Sequence, residues 1–118
     1  MKSPMRGILA ICLLWSTAAL AHTHLVRSTP ADGADLAAAP PEAVLVFAEP
    51  VTIATAKVES SEGTKSTLTP PSDTSAEIHL KLPALAAGRY HLSWRAASAD
   101  GHVMTGQISF MIGSAAHP

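Results

Sequence analysis

Four things are scarce in this chain, and each scarcity rules something out. Cysteine occurs once in 118 residues, as Cys12, inside an apolar N-terminal run. A disulfide framework is thereby excluded, and the domain has to hold together through its core. Basic side chains are few, eight Lys and Arg against nine Asp and Glu, with no stripe of them and no interleaved aromatics. Such a surface does not suit nucleic acid. No apolar run reaches the roughly 20 residues that cross a bilayer as a helix, so membrane insertion of the mature chain is not expected. Methionine is absent from residues 22 to 103, and the only later copies are Met104 and Met111. Met104 reads as apolar filler and Met111 as partly exposed surface, since methionine is adaptable core material.

What is present begins with an export signal. Met1 to Ala21 carries Lys2 and Arg6, the apolar run Ile8 to Trp15, and Ala19-Leu20-Ala21, which meets the small-x-small rule for cleavage. Cleavage after Ala21 makes His22 the first residue of the mature chain. Cleavage after Ala19 would put Thr17 at a position that prefers a smaller residue. Cys12 follows Ile11, where a lipid-modified cysteine would want something small, so it leaves with the signal. Removing these 21 residues, Lys2 and Arg6 among them, leaves 97 residues. Six basic side chains then face nine acidic ones, a formal net charge of −3, and all six histidines remain. One domain, residues 22 to 118, is long enough to bury its own core.

The mature chain reads as short strands separated by turn signals. His22 to Ser28 is a first strand, ended by Thr29-Pro30-Ala31-Asp32-Gly33. Ala34 to Ala39 is alanine-rich, but Pro40-Pro41 follows at once, which makes it a loop. Ala43 to Ala48 is a strand punctuated by Glu49-Pro50. Val51 to Glu59 is another, with Val51, Ile53 and Thr55 on one face. Lys65 to Thr69 is a short edge strand, and Ala76, Ile78, Leu80 and Leu82 alternate with polar residues in a further one. His79 and His91 fall on solvated faces, and His117 lies in the tail. About seven antiparallel strands without a helix indicate a Greek-key β-sandwich.

The stretch from Gly88 to Ile112 organises the rest. Tyr90, Leu92 and Trp94 alternate with His91, Ser93 and Arg95, and the pattern returns in Ile108, Phe110 and Ile112. Between the two strands, Asp100-Gly101 is a turn dipeptide. If the chain stays extended past it, Asp100 and His102 point to one side, a carboxylate next to an imidazole. That pair starts a metal site without completing it, and His22 at the processed terminus is the candidate to supply what is missing. Taken alone, Asp-Gly-His is more often a turn than a ligand pair, and a terminal histidine more often an accident of cleavage.

Four motifs together carry a family resemblance: H-T-H-L-V-R-S-T-P-A-D-G at the mature start, F-A-E-P around Glu49, G-R-Y-H-L-S-W-R-A-A-S-A-D-G-H, and T-G-Q-I-S-F-M-I. The chain resembles the CopC family of exported copper-binding proteins. The resemblance implies a seven-stranded cupredoxin- or immunoglobulin-like all-β sandwich that binds Cu(II) in the periplasm, and one ion per chain and a monomer are expected. It places the metal ligands at the amino group and imidazole of His22, at Asp100 and at His102, with Glu49 beside the copper. It also implies a partner, an inner-membrane transporter of the CopD type. The methionine-rich Cu(I) segment of some members has no counterpart here, so a dedicated Cu(I) site is not expected.

The chemistry agrees with that ligand set. Cu(II) favours tetragonal nitrogen and oxygen donors. An N-terminal histidine chelates through its amino nitrogen and ring Nδ1, a second imidazole supplies a third nitrogen, and a carboxylate adds oxygen and charge. His24 shares a strand face with His22 and reads more readily as an ordinary surface histidine than as a ligand. The expected role is sequestration of copper or its delivery to the transporter, in copper resistance or supply. Two alternatives differ in kind. A histidine-brace redox enzyme of the polysaccharide monooxygenase type would use the same terminal residue, but Asp100 would fill the position where oxygen binds. A metal-free adhesion sandwich needs no special terminus at all.

Overall fold

The computed structural model describes residues 24–113. Seven strands follow in order: β1 (Leu25–Thr29), β2 (Ala34–Leu36), β3 (Glu42–Ser60), β4 (Lys65–Leu68), β5 (Ser75–Lys81), β6 (Gly88–Ser98) and β7 (Val103–Ile112). The expected all-β sandwich is the observed one, and β3 is what makes it. Over 19 residues this strand serves both layers. Its first half, Glu42 to Val46, lies between β1 and β5. Its second half, Val51 to Ser60, pairs with β6, and Ala56 to Glu59 also pair with β4. The exchange happens at Ala48-Glu49-Pro50, where Pro50 has no N–H to give to a ladder.

The two strands expected at 43–48 and 51–59 are therefore one. Proline interrupts hydrogen bonding there but not the extended backbone. A second correction concerns the face of Thr55. Ile53 pairs with Ala96 and Thr55 with Arg95, which leaves Ala54 as an extra residue. Such a bulge reverses the alternation. Val51 and Ile53 are buried before it, Ala56 and Val58 after it, and Thr55 is exposed. Thirdly, Ala34 to Leu36, expected to be loop, is a short strand lying parallel to β7. Asp32 and Gly33 anchor it: the Ser109 N–H donates to Asp32 Oδ1 at 2.8 Å, and the Gly33 N–H to the Ser109 carbonyl at 2.7 Å. The Thr29–Pro30 peptide just before is cis.

The core lies between the layers. Leu45, Ile78 and Leu80 come from one side, and Val58, Leu92 and Ile108 from the other, all fully buried. Phe47 meets Trp94 edge to face at 6.2 Å between ring centroids. Burying each such side chain stabilises by roughly 1.5–3 kcal/mol. The alternation in β6 explains its orientation: Tyr90, Leu92, Trp94, Ala96 and Ser98 are buried, while Arg89, His91 and Arg95 are exposed. The Tyr90 hydroxyl donates to the Ala86 carbonyl at 2.7 Å and fixes the approach to β6. β6 and β7 pair without a shift from Gly88–Ile112 to Ala97–Val103. The hairpin thus delivers residues 99–102 to one end of the sandwich.

Candidate metal centre

The tip of the β6–β7 hairpin is closed by backbone bonds. The Ser98 N–H donates to the His102 carbonyl and the Gly101 N–H to the Ser98 carbonyl, both at 2.9 Å. Gly101 has φ +92°, a conformation that disfavours side chains. The turn leaves Asp100 and His102 on the same side, as the i, i+2 spacing predicts. Their side chains meet at 3.1 Å, His102 Nδ1 to Asp100 Oδ1. The same Oδ1 accepts a short hydrogen bond from the Ser98 hydroxyl and a long one, 3.4 Å, from the His102 N–H. Ser98 is the one buried polar residue among those described, and nothing in the sequence pattern singles it out.

These contacts set the electrostatics of the pair. The Ser98 hydroxyl first, then His102, holds the Asp100 carboxyl down at about 2. The carboxylate is therefore ionised at any physiological pH. With Nδ1–H donated to Asp100, the His102 ring has its Nε2 as the lone-pair nitrogen, the arrangement by which carboxylates orient metal-binding imidazoles. Both side chains are open to water, Asp100 by 54 % and His102 by 71 %, so an ion needs no gate to reach them.

Two further expectations meet the structure differently. His22 lies outside the described residues. Glu49 is exposed on β3, at the exchange between layers. Val51 pairs with Ser98, so Glu49 and Asp100 each lie two residues beyond that pair. No three His, Cys, Asp or Glu side chains gather into a metal-holding group among the described residues. The Ala48 N–H donates to the His24 carbonyl at 3.0 Å, and Leu25 pairs with Phe47, so the start of β1 lies beside the stretch of β3 that leads to Glu49.

Other candidate residues sit elsewhere. His79 is exposed as expected, but carboxylates hold both its ring nitrogens: Nδ1 faces Glu42 at 3.0 Å and Nε2 faces Glu77 at 2.8 Å. His91 is exposed as well, with Nδ1 2.8 Å from Ser109 Oγ. A concavity of about 700 Å³ is an open stretch of the sheet whose lining includes Lys57, Arg95, Trp94 and Gln107, without a carboxylate or imidazole. No helix among the described residues is long and apolar enough to cross a membrane.

Known proteins share this framework. The model of the CopC domain family matches residues 25–113. Copper resistance protein C of Pseudomonas syringae pv. tomato is 31% identical over 116 residues, covering 89% of this chain and 91% of that protein. Copper transport protein CutJ of Bacillus subtilis is 34% identical over 102 residues, which span 80% of this chain but 19% of CutJ. Among solved structures, CopC from Methylosinus trichosporium superposes with a TM-score of 0.68 at 29% identity, covering 77% of this chain and 93% of that one. PcoC, a methionine-rich copper resistance protein from Escherichia coli, gives 0.64 at 27% identity, covering 79% and 100%.

Proposed function

The chain belongs to the CopC family, and from that premise we propose that it is a periplasmic carrier of one Cu(II) ion, held by His22, Asp100 and His102. The observation that carries this reading is the hairpin tip. An ionised carboxylate and an oriented imidazole lie together there, and the start of β1 lies beside the stretch of β3 that leads to Glu49. Processing after Ala21 adds an amino group and a second imidazole there. Three nitrogens and a carboxylate oxygen make a tetragonal set suited to Cu(II). Glu49, exposed on the strand that passes this end, stands as the second carboxylate beside the ion. Asp100 neutralises part of the metal charge and keeps His102 in the ligating tautomer, so the site binds without rearranging its rigid half.

Nothing in this set calls for catalysis. The function is to lower free copper or hand it to an inner-membrane transporter of the CopD type, in keeping with the names of the relatives. The deciding experiment compares the processed protein with a variant carrying one extra residue before His22. Electron paramagnetic resonance of the Cu(II) form should show nitrogen hyperfine structure from about three donors, and the extended variant should lose most of its affinity. Equal affinities, or a spectrum of oxygen donors, would sink the chelate. Copper-dependent consumption of peroxide above free-copper controls would move the reading to the redox enzyme.

A further inference from the structure

Strands β1 and β7 face each other across the sandwich without sharing a ladder. β1 pairs with β3, while β7 pairs with β6 and β2. Between them lies a cleft of about 290 Å³ whose lining includes His24, Phe47, Trp94, Met104 and Gly106. Phe47 and Trp94 are buried and form its aromatic floor. Gly106 pairs with Trp94 and lets the indole lie against its backbone: a Cβ there would fall 2.5 Å from Trp94 Cζ2. Two residues with donor side chains also line the cleft, His24 with its imidazole and Met104 with its thioether. Met104 is partly buried and packs against the core, in line with its apolar role, but it shares its cleft with a histidine.

This lining has a definite chemical preference. It contains a thioether and an imidazole but no carboxylate, a poor set for hard divalent ions and a good one for a soft monovalent d10 ion. We propose that His24 and Met104, above Trp94, form a separate site for a soft monovalent ion, cuprous or silver. Met104 follows His102 by two residues, and His24 follows His22 by two. β7 opens at Val103, so along that strand the soft site lies about 7 Å from the hairpin tip. The inference rests on the proposed function only for that adjacency; the donors stand on their own.

The test titrates the processed protein with Ag(I), which needs no reductant, and separately with Cu(II). Once the signal is removed, Trp94 is the only tryptophan and Met104 and Met111 the only methionines, so each reporter is unambiguous. Ag(I) should change Trp94 fluorescence and shift the Met104 methyl resonance while Met111 stays in place. Met104→Leu conserves volume and is tolerated in cores; it should weaken Ag(I) binding about tenfold or more, the scale of a lost metal partner, and leave Cu(II) binding alone. His24→Gln should do the same, whereas His102→Gln should weaken Cu(II) and spare Ag(I). Unchanged Ag(I) affinity in both Met104→Leu and His24→Gln overturns the soft site. So does a parallel loss of Cu(II) affinity in Met104→Leu. Failure of the Cu(II) arm with His102→Gln overturns the cupric reading instead and leaves the Ag(I) result standing.

Discussion

Two imidazoles on this surface are held by carboxylates, and they are not equivalent. His79 sits on β5 in the middle of a sheet face, with Glu77 on its own strand and Glu42 across on β3. Both ring nitrogens are engaged by anions, which favours the protonated ring and raises its pKa above the ordinary value. His102 sits at a turn, and one carboxylate, that of Asp100, faces its Nδ1. One carboxylate orients an imidazole, whereas two carboxylates titrate it. The same two residue types thus make an ion-pair cluster on a sheet face and an oriented carboxylate–imidazole pair at the hairpin tip.

Exchanging the two histidines in turn is the strongest way to break this contrast. His102→Gln should reduce Cu(II) affinity by about 100-fold or more, since even indirect partners of a metal are worth 10–100-fold. His79→Gln should leave it within about twofold. Competition titration against a chelator of known strength reads both, and a comparable loss from His79→Gln would erase the distinction. Asp100→Asn comes next. It keeps the shape but removes the charge and allows the amide to donate, so a loss of roughly tenfold is expected. In the parent protein Asp100 stays ionised down to about 2. Its folded value lies below the usual 3.8, so the stability it contributes is present above that range and is lost as pH falls through about 2. Any weakening of copper binding between pH 7 and 5 then does not come from Asp100, and Asp100→Asn should lower the affinity by a similar factor at both pH values.

The hairpin corner was legible because every ingredient is local. Alternation in Gly88 to Ser98 and in Val103 to Ile112 sets the faces, Asp100-Gly101 sets the turn, and i, i+2 does the rest. Residues that act across long sequence distances were not legible. Asp32 reads as half of a turn, yet its carboxylate accepts from Ser109, 77 residues away, and clips β2 to β7. Ala34 to Leu36 has no strand pattern of its own and becomes a strand because β7 offers it a parallel edge. The bulge at Ala54 leaves no mark in composition, so simple alternation predicts the wrong face for Thr55. Seven strands were expected and seven are observed, but by cancellation: one gained at β2, two merged in β3. Ser98 is a similar case. Its role as the buried hydroxyl that holds Asp100 ionised depends on a side-chain contact that no periodicity announces.

Glu42 belongs with those distant partners, and it provides the gentlest test of the contrast. Its hydrogen bond is the largest cause raising the His79 pKa above 6.5, ahead of that from Glu77. A raised folded value means that protonated His79 stabilises the native state. That contribution is complete below about 6.5, where the unfolded chain is also protonated, and disappears as pH rises through the higher folded value. Glu42→Gln should bring the His79 midpoint, followed by its ring Cε1–H resonance, back towards 6.5 with Glu77 still in place. It should also lower the thermal midpoint at pH 5 by more than at pH 9, because only at pH 5 is there a charged ring for the carboxylate to hold. The His102 resonance, at the hairpin tip, should not move. An unmoved His79 midpoint, or an equal destabilisation at both pH values, would show that Glu42 acts through its shape in the strand pair and not through its charge.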